Sequence, residues 1–136
     1  MKEAAFSLDS YIFDRVALNL SDLNPSTAFN IDFKPSGKFF TESNRYELEF
    51  SFVANRAENS NPVVDVHCIA RFSFRDLDED KNIPEYFYNN AIAILFPYIR
   101  AFVSTLTLQA NAAPMVLPTL NLSYLKGVLK ENTTRV

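Results

Sequence analysis

The chain has 136 residues, 48% of them hydrophobic and 14% aromatic, enough for one domain that buries about two-thirds of its unfolded surface. A net charge of -3 and a pI near 5.1, with the 13 Lys and Arg scattered, exclude a phosphate-binding surface and leave nucleic acid out. A lone cysteine rules out an internal disulfide, and neither a secretory leader nor about 18 uninterrupted apolar residues is found, so a soluble cytoplasmic protein is expected.

Four strands are predicted in the first half. Ala5 to Leu20 places Phe6, Leu8, Ile12, Val16, Leu18 and Leu20 on one side, a run long enough to need a bulge near Asp14. Phe29, Ile31 and Phe33 alternate with polar residues before Pro35. Arg45 to Ala54 sets Tyr46, Leu48, Phe50 and Phe52 against Glu47, Glu49 and Ser51. Asn55 to Pro62 reads as a hairpin loop, and Val63 to Arg75 places Val64, Val66, Cys68, Ala70, Phe72 and Phe74 opposite Asp65, His67, Arg71 and Ser73. This period of two predicts an antiparallel sheet with one covered face.

After the acidic turn Asp76 to Lys81, a long helix is predicted from Pro84 to Gln109. Phe87, Ala91, Ile94, Leu95, Tyr98 and Phe102 lie on one side of it, while Ala93, Phe96, Ile99, Val103 and Leu106 make the other nearly as apolar. A helix apolar all round needs a second cover, and another subunit meeting Ile99 and Val103 is expected to supply it. Ala110 to Pro118 is an irregular linker, and a short helix is expected from Ser123, as N-cap, to Lys130. The fold class is thus α+β, a four-stranded antiparallel sheet packed with a long helix and a short terminal helix, in a single domain over residues 1–136. The 13 Phe exceed what one small core requires and point to oligomer interfaces or an apolar groove.

Enzyme chemistry is absent. His67 and Cys68 are strand neighbours and point to opposite faces, so they form no dyad. One His and one Cys give no metal-ligand spacing, and the acidic run Asp76, Asp78, Glu79 and Asp80 lacks the glycine and closing glutamate of a calcium loop. No cofactor, metal site or catalytic residue is expected.

The segment Ile94-Leu95-Phe96-Pro97-Tyr98-Ile99-Arg100, followed by Ser104 and by Pro114-Met115-Val116-Leu117-Pro118-Thr119-Leu120-Asn121-Leu122, resembles the C-terminal half of the SecB protein-export chaperones. The likeness is strong from Ile83 to Leu125 and is one of strand order before that. It implies a homotetramer, built as a dimer of dimers, that holds unfolded preproteins without ATP and delivers them to the SecA motor. It further implies client binding at Phe29, Ile31 and Phe33 on the second strand and at Leu120, Leu122 and Leu125 near the terminal helix. A SecA contact is implied at Val63 and Asp65, with Glu47 and Glu49 expected beside Asp65 as an acidic patch. Arg15 and Asn19 stand where the family has acidic residues, and no acidic tail follows Glu131. These departures keep an alternative open, a SecB-like chaperone dedicated to the antitoxin of a toxin-antitoxin system.

Overall fold

The computed structural model describes residues 4–20, 29–56, 62–112, 115–117 and 122–136. The order is β1 (Ala5–Leu18), β2 (Phe29–Phe40), β3 (Arg45–Arg56), β4 (Pro62–Arg75), α1 (Glu85–Gln109), α2 (Leu125–Glu131) and β5 (Thr133–Arg135). The class is α+β as expected, but the sheet is five-stranded and mixed, in the order β1-β4-β3-β2-β5. The first four strands pair antiparallel, and β5 joins the β2 edge in parallel. A three-residue strand is too short to carry a periodic signal in the sequence, so four strands are expected there and five form.

On β3 and β4 the alternation behaves as read: Tyr46, Leu48, Phe50, Phe52, Val64, Val66, Cys68, Ala70, Phe72 and Phe74 form the covered face. The first strand differs. Asp9 and Asp14 are each skipped in the pairing with β4, giving two bulges where one was expected. Each bulge reverses the parity, so Tyr11 opposes Ala70 and Phe13 opposes Cys68 on the covered face, while Ile12 turns outward and is 53% exposed. A β4 side chain holds each bulged carboxylate: the Ser73 hydroxyl donates to Asp9 Oδ1 at 3.1 Å, and His67 Nδ1 lies 2.6 Å from Asp14 Oδ1.

The second strand runs through Pro35 to Phe40 instead of ending before the proline. Gly37 gives its N–H to Asn132 at the outer edge, and Pro35 has the same parity, so its missing N–H falls at that edge and costs β3 nothing. Thr41 to Asn44 then turn the chain into β3, with Asn44 left-handed at φ 56°. Of the expected Asn55 to Pro62 loop, Asn55 belongs to β3 and Pro62 to β4, and residues 57–61 lie outside the described residues.

The long helix lies over the covered face. Phe87 meets Phe6, Tyr46, Phe72 and Phe74, Phe96 meets Phe33, and Phe102 stacks on Phe13 with centroids 4.0 Å apart. By length and composition alone α1 could cross a membrane, yet its stripe Phe87, Ala91, Leu95, Ile99 and Val103 is buried here. Pro97 and Ala93, whose carbonyl it cannot bond, are both exposed, so water can satisfy the missing hydrogen bond. The helix closes at Ala110 with Asn111 left-handed at φ 61°. The acidic turn is fastened by Asp78, whose Oδ1 accepts the Asn82 N–H at 2.9 Å and whose Oδ2 accepts Asn82 Nδ2 at 3.1 Å.

Candidate functional site

Two described elements border the region the sequence reading marked, with a short crossover between the helices. β2 supplies Ile31 and Phe33, and α2 packs against both β2 and α1. The crossover is hooked to the end of α1 by Thr107, a buried hydroxyl that donates to the Val103 and Ser104 carbonyls at 3.1 Å and accepts the Met115 N–H at 2.8 Å. That hook seats Leu117 in the core and leaves Val116 outside, 64% exposed.

The expected client residues divide. Ile31 is 37% exposed and Leu122 is half-buried, packed on the core. Phe33 is buried among Phe50, Phe52 and Phe96 with ring centroids 5.3 to 5.8 Å apart, and Leu125 is sealed under α2. These two are core residues in this chain, because covered-face parity and the helix i, i+4 pair Leu125–Leu129 both point inward. The Phe29 side chain and Leu120 lie outside the described residues. Sequence reasoning missed Tyr124 and Val128, an i, i+4 pair on the outer side of α2 with Tyr124 63% exposed. The helix begins at Leu125 with Tyr124, not Ser123, in the cap position. Ile31, Val116, Tyr124 and Val128 carry no charged group, and exposed side chains of this kind interact through burial of apolar surface.

On the uncovered sheet face, among the described residues, Glu47 and Glu49 do not flank Asp65. Asp65 is exposed between Ala17 and Val53, whereas Glu47 pairs with Arg71 at 3.7 Å and Glu49 stands opposite Ile69. The expected grouping fails because the antiparallel register sets Asp65 opposite Val53, four residues along β3 from Glu49. Val63 is buried, its carbonyl accepting the Asn19 N–H at 2.8 Å. His67 hydrogen-bonds Asp14 and holds its carboxyl below the usual carboxylate range. Cys68 faces the other way, into the core, where burial first and the Asp14 charge second push its thiol up to about 11.

Ile99 and Val103, expected at a subunit interface, are both fully buried against the sheet. The inward stripe claims them, and the large apolar residues that α1 leaves outside are Tyr86, Ile94, Tyr98 and Leu108.

The model of the family described as preprotein translocase subunit SecB matches residues 6–127. The chain belongs to the SecB family. A protein-export protein SecB of Magnetococcus marinus is 27% identical over 90% of this chain and 87% of its own length. An uncharacterised protein of Methanocaldococcus jannaschii is 44% identical over 50 residues, which are 34% of this chain and only 32% of that protein. Among solved structures, the Rv1957 SecB-like chaperone of Mycobacterium tuberculosis, in complex with a ChAD peptide from the Rv1956 HigA1 antitoxin, superposes with a TM-score of 0.69 at 19% identity. That alignment covers 85% of this chain and 90% of the other, a likeness of fold. The SecB-family sheet and two-helix arrangement is thus the one seen here.

Proposed function

We propose that this SecB-family chain is an ATP-independent holdase, which binds unfolded preprotein segments in the cytoplasm and delivers them to SecA. The family match over residues 6–127 carries the reading. The apolar residues left outside on β2, the crossover and α2 supply the chemistry, since covering such surface contributes about 25 cal/mol per Å² and needs no nucleotide. Client contacts fall on Ile31, Val116, Tyr124 and Val128 with Leu122, Phe29 and Leu120, while Phe33 and Leu125 support them from beneath. A homotetramer assembled as a dimer of dimers would extend this surface, with α1 contributing Ile94, Tyr98 and Leu108. SecA contact is assigned to Asp65, where a rim charge acts on association rate and salt sensitivity. The test is light scattering of a chemically denatured protein diluted into the chain without nucleotide. Suppressed aggregation supports holding, and unchanged aggregation at an equimolar ratio overturns it.

A second reading is a chaperone dedicated to an antitoxin. Two observations favour it: the fold likeness to a chaperone solved with an antitoxin peptide, and the strand register that separates Asp65 from Glu47 and Glu49. Titration calorimetry with SecA at low salt separates the two. Weak heat that falls with salt and with Asp65→Lys supports export, whereas no heat turns the assignment to the antitoxin.

A further inference from the structure

The seven-residue α2 is too short to hold itself. Isolated helices are marginal below about 12 to 15 residues, Tyr124 at the N-cap makes no side-chain cap hydrogen bond, and the exposed Gly127 weakens the helix further. Leu125 and Leu129 anchor its inner side, and Lys130 Nζ reaches Glu85 of α1 at an exposed 2.8 Å contact, but none of these three ties it to β2 by a hydrogen bond.

The C-terminal end supplies what is missing. The Thr133 hydroxyl donates to the Leu129 carbonyl at 2.7 Å, and since it has one proton, the Tyr46 hydroxyl at 2.6 Å donates to it. Tyr46 belongs to β3 and reaches Thr133 by crossing Gly37 of β2, where a Cβ would stand 1.9 Å from the Tyr46 oxygen. Gly37 has ordinary negative φ, so glycine is required there for space alone. Beyond Thr133, β5 is laced to β2 by Gly37 N–H to the Asn132 carbonyl at 3.2 Å and Val136 N–H to the Phe39 carbonyl at 2.8 Å. Arg135 sits 5.3 Å over the Phe39 ring and donates to the Asp80 carbonyl at 3.1 Å.

We propose that Gly37, Tyr46 and Thr133 form a latch fixing α2 on β2, and that they are positioning residues for client binding. The proposal rests on the holdase reading. With the latch closed, Tyr124 and Val128 are presented at one place on the sheet. With it open, α2 frays and the client surface loses its shape.

The test uses the full chain and, as probe, a fluorescently labelled, reduced and carboxymethylated protein that cannot refold. Thr133→Val and Tyr46→Phe each remove one hydroxyl. Each is expected to speed amide exchange across 126–132 and to weaken probe binding by about threefold to tenfold, the scale of one lost hydrogen bond. Amides of β4 keep their protection, and Thr133→Ser, which retains the hydroxyl, retains both properties. Unchanged exchange in α2 overturns the latch, and faster exchange with unchanged probe binding overturns its positioning role. Failure of the unmodified chain to bind the probe overturns the holdase reading itself, and needs no variant to see.

Discussion

A carboxylate at a bulge is an unusual anchor, and Asp14 shows what it does. His67 donates across the strand pair and keeps the Asp14 carboxyl ionised to lower pH than in the unfolded chain, where it titrates at about 3.9. A depressed carboxyl pKa stabilises the fold above the unfolded value, and that contribution is lost as pH falls through the folded value. Native stability is therefore expected to decline below about pH 4. Asp14→Asn should flatten that limb of the curve, as followed by urea midpoints at successive pH values. An equally steep limb in the variant would assign the acid sensitivity to other carboxylates, such as Asp78, which is also held low by its bonds to Asn82.

At the scale of elements, β1 and α2 make opposite demands. The two bulges in β1 bring Phe13 inward onto Phe102 and expel Ile12. Phe13→Ala should cost about 2 to 3 kcal/mol, less than a fully buried Phe because Phe13 is half-buried, whereas Ile12→Ala should stay within about 0.5 kcal/mol. Thermal or urea denaturation checks the pair, and the reverse order would restore the single-bulge reading. In α2, Gly127 has nothing within 4 Å of an added Cβ and no positive φ. Gly127→Ala should therefore stabilise the helix by about 0.5 to 1 kcal/mol, seen as slower amide exchange across α2.

For the whole molecule, the proposed tetramer depends on which side of α1 is left outside. Ile99 is buried inside the chain, so Ile99→Glu places an unpaired carboxylate in the core and should unfold the protein, not merely separate subunits. Tyr98 is 42% exposed, beside Tyr11 at 4.5 Å between centroids. Tyr98→Glu should leave the circular dichroism spectrum intact and reduce the mass seen by light scattering. A native-sized assembly from the Tyr98 variant would move the contact off this side of α1.

The sequence by itself determined where the first four strands begin, the long helix with its internal proline and the family. Those are local matters, since period two on β3 and β4 and period 3.6 around Pro97 follow from the direction each side chain takes from its own backbone. It also separated His67 from Cys68, because strand neighbours diverge whatever the fold. Only the tertiary structure decided which apolar residues are free. Phe33, Leu125, Ile99 and Val103 looked available in sequence and are buried by packing against distant segments, while Tyr124 and Val128 are left outside. It also decided that Asp65 stands apart from Glu49, since register is set between strands. The same holds for the fifth strand, because Thr133 to Arg135 have no pattern of their own and become a strand when β2 offers an unpaired edge and Tyr46 reaches past Gly37 to hold Thr133.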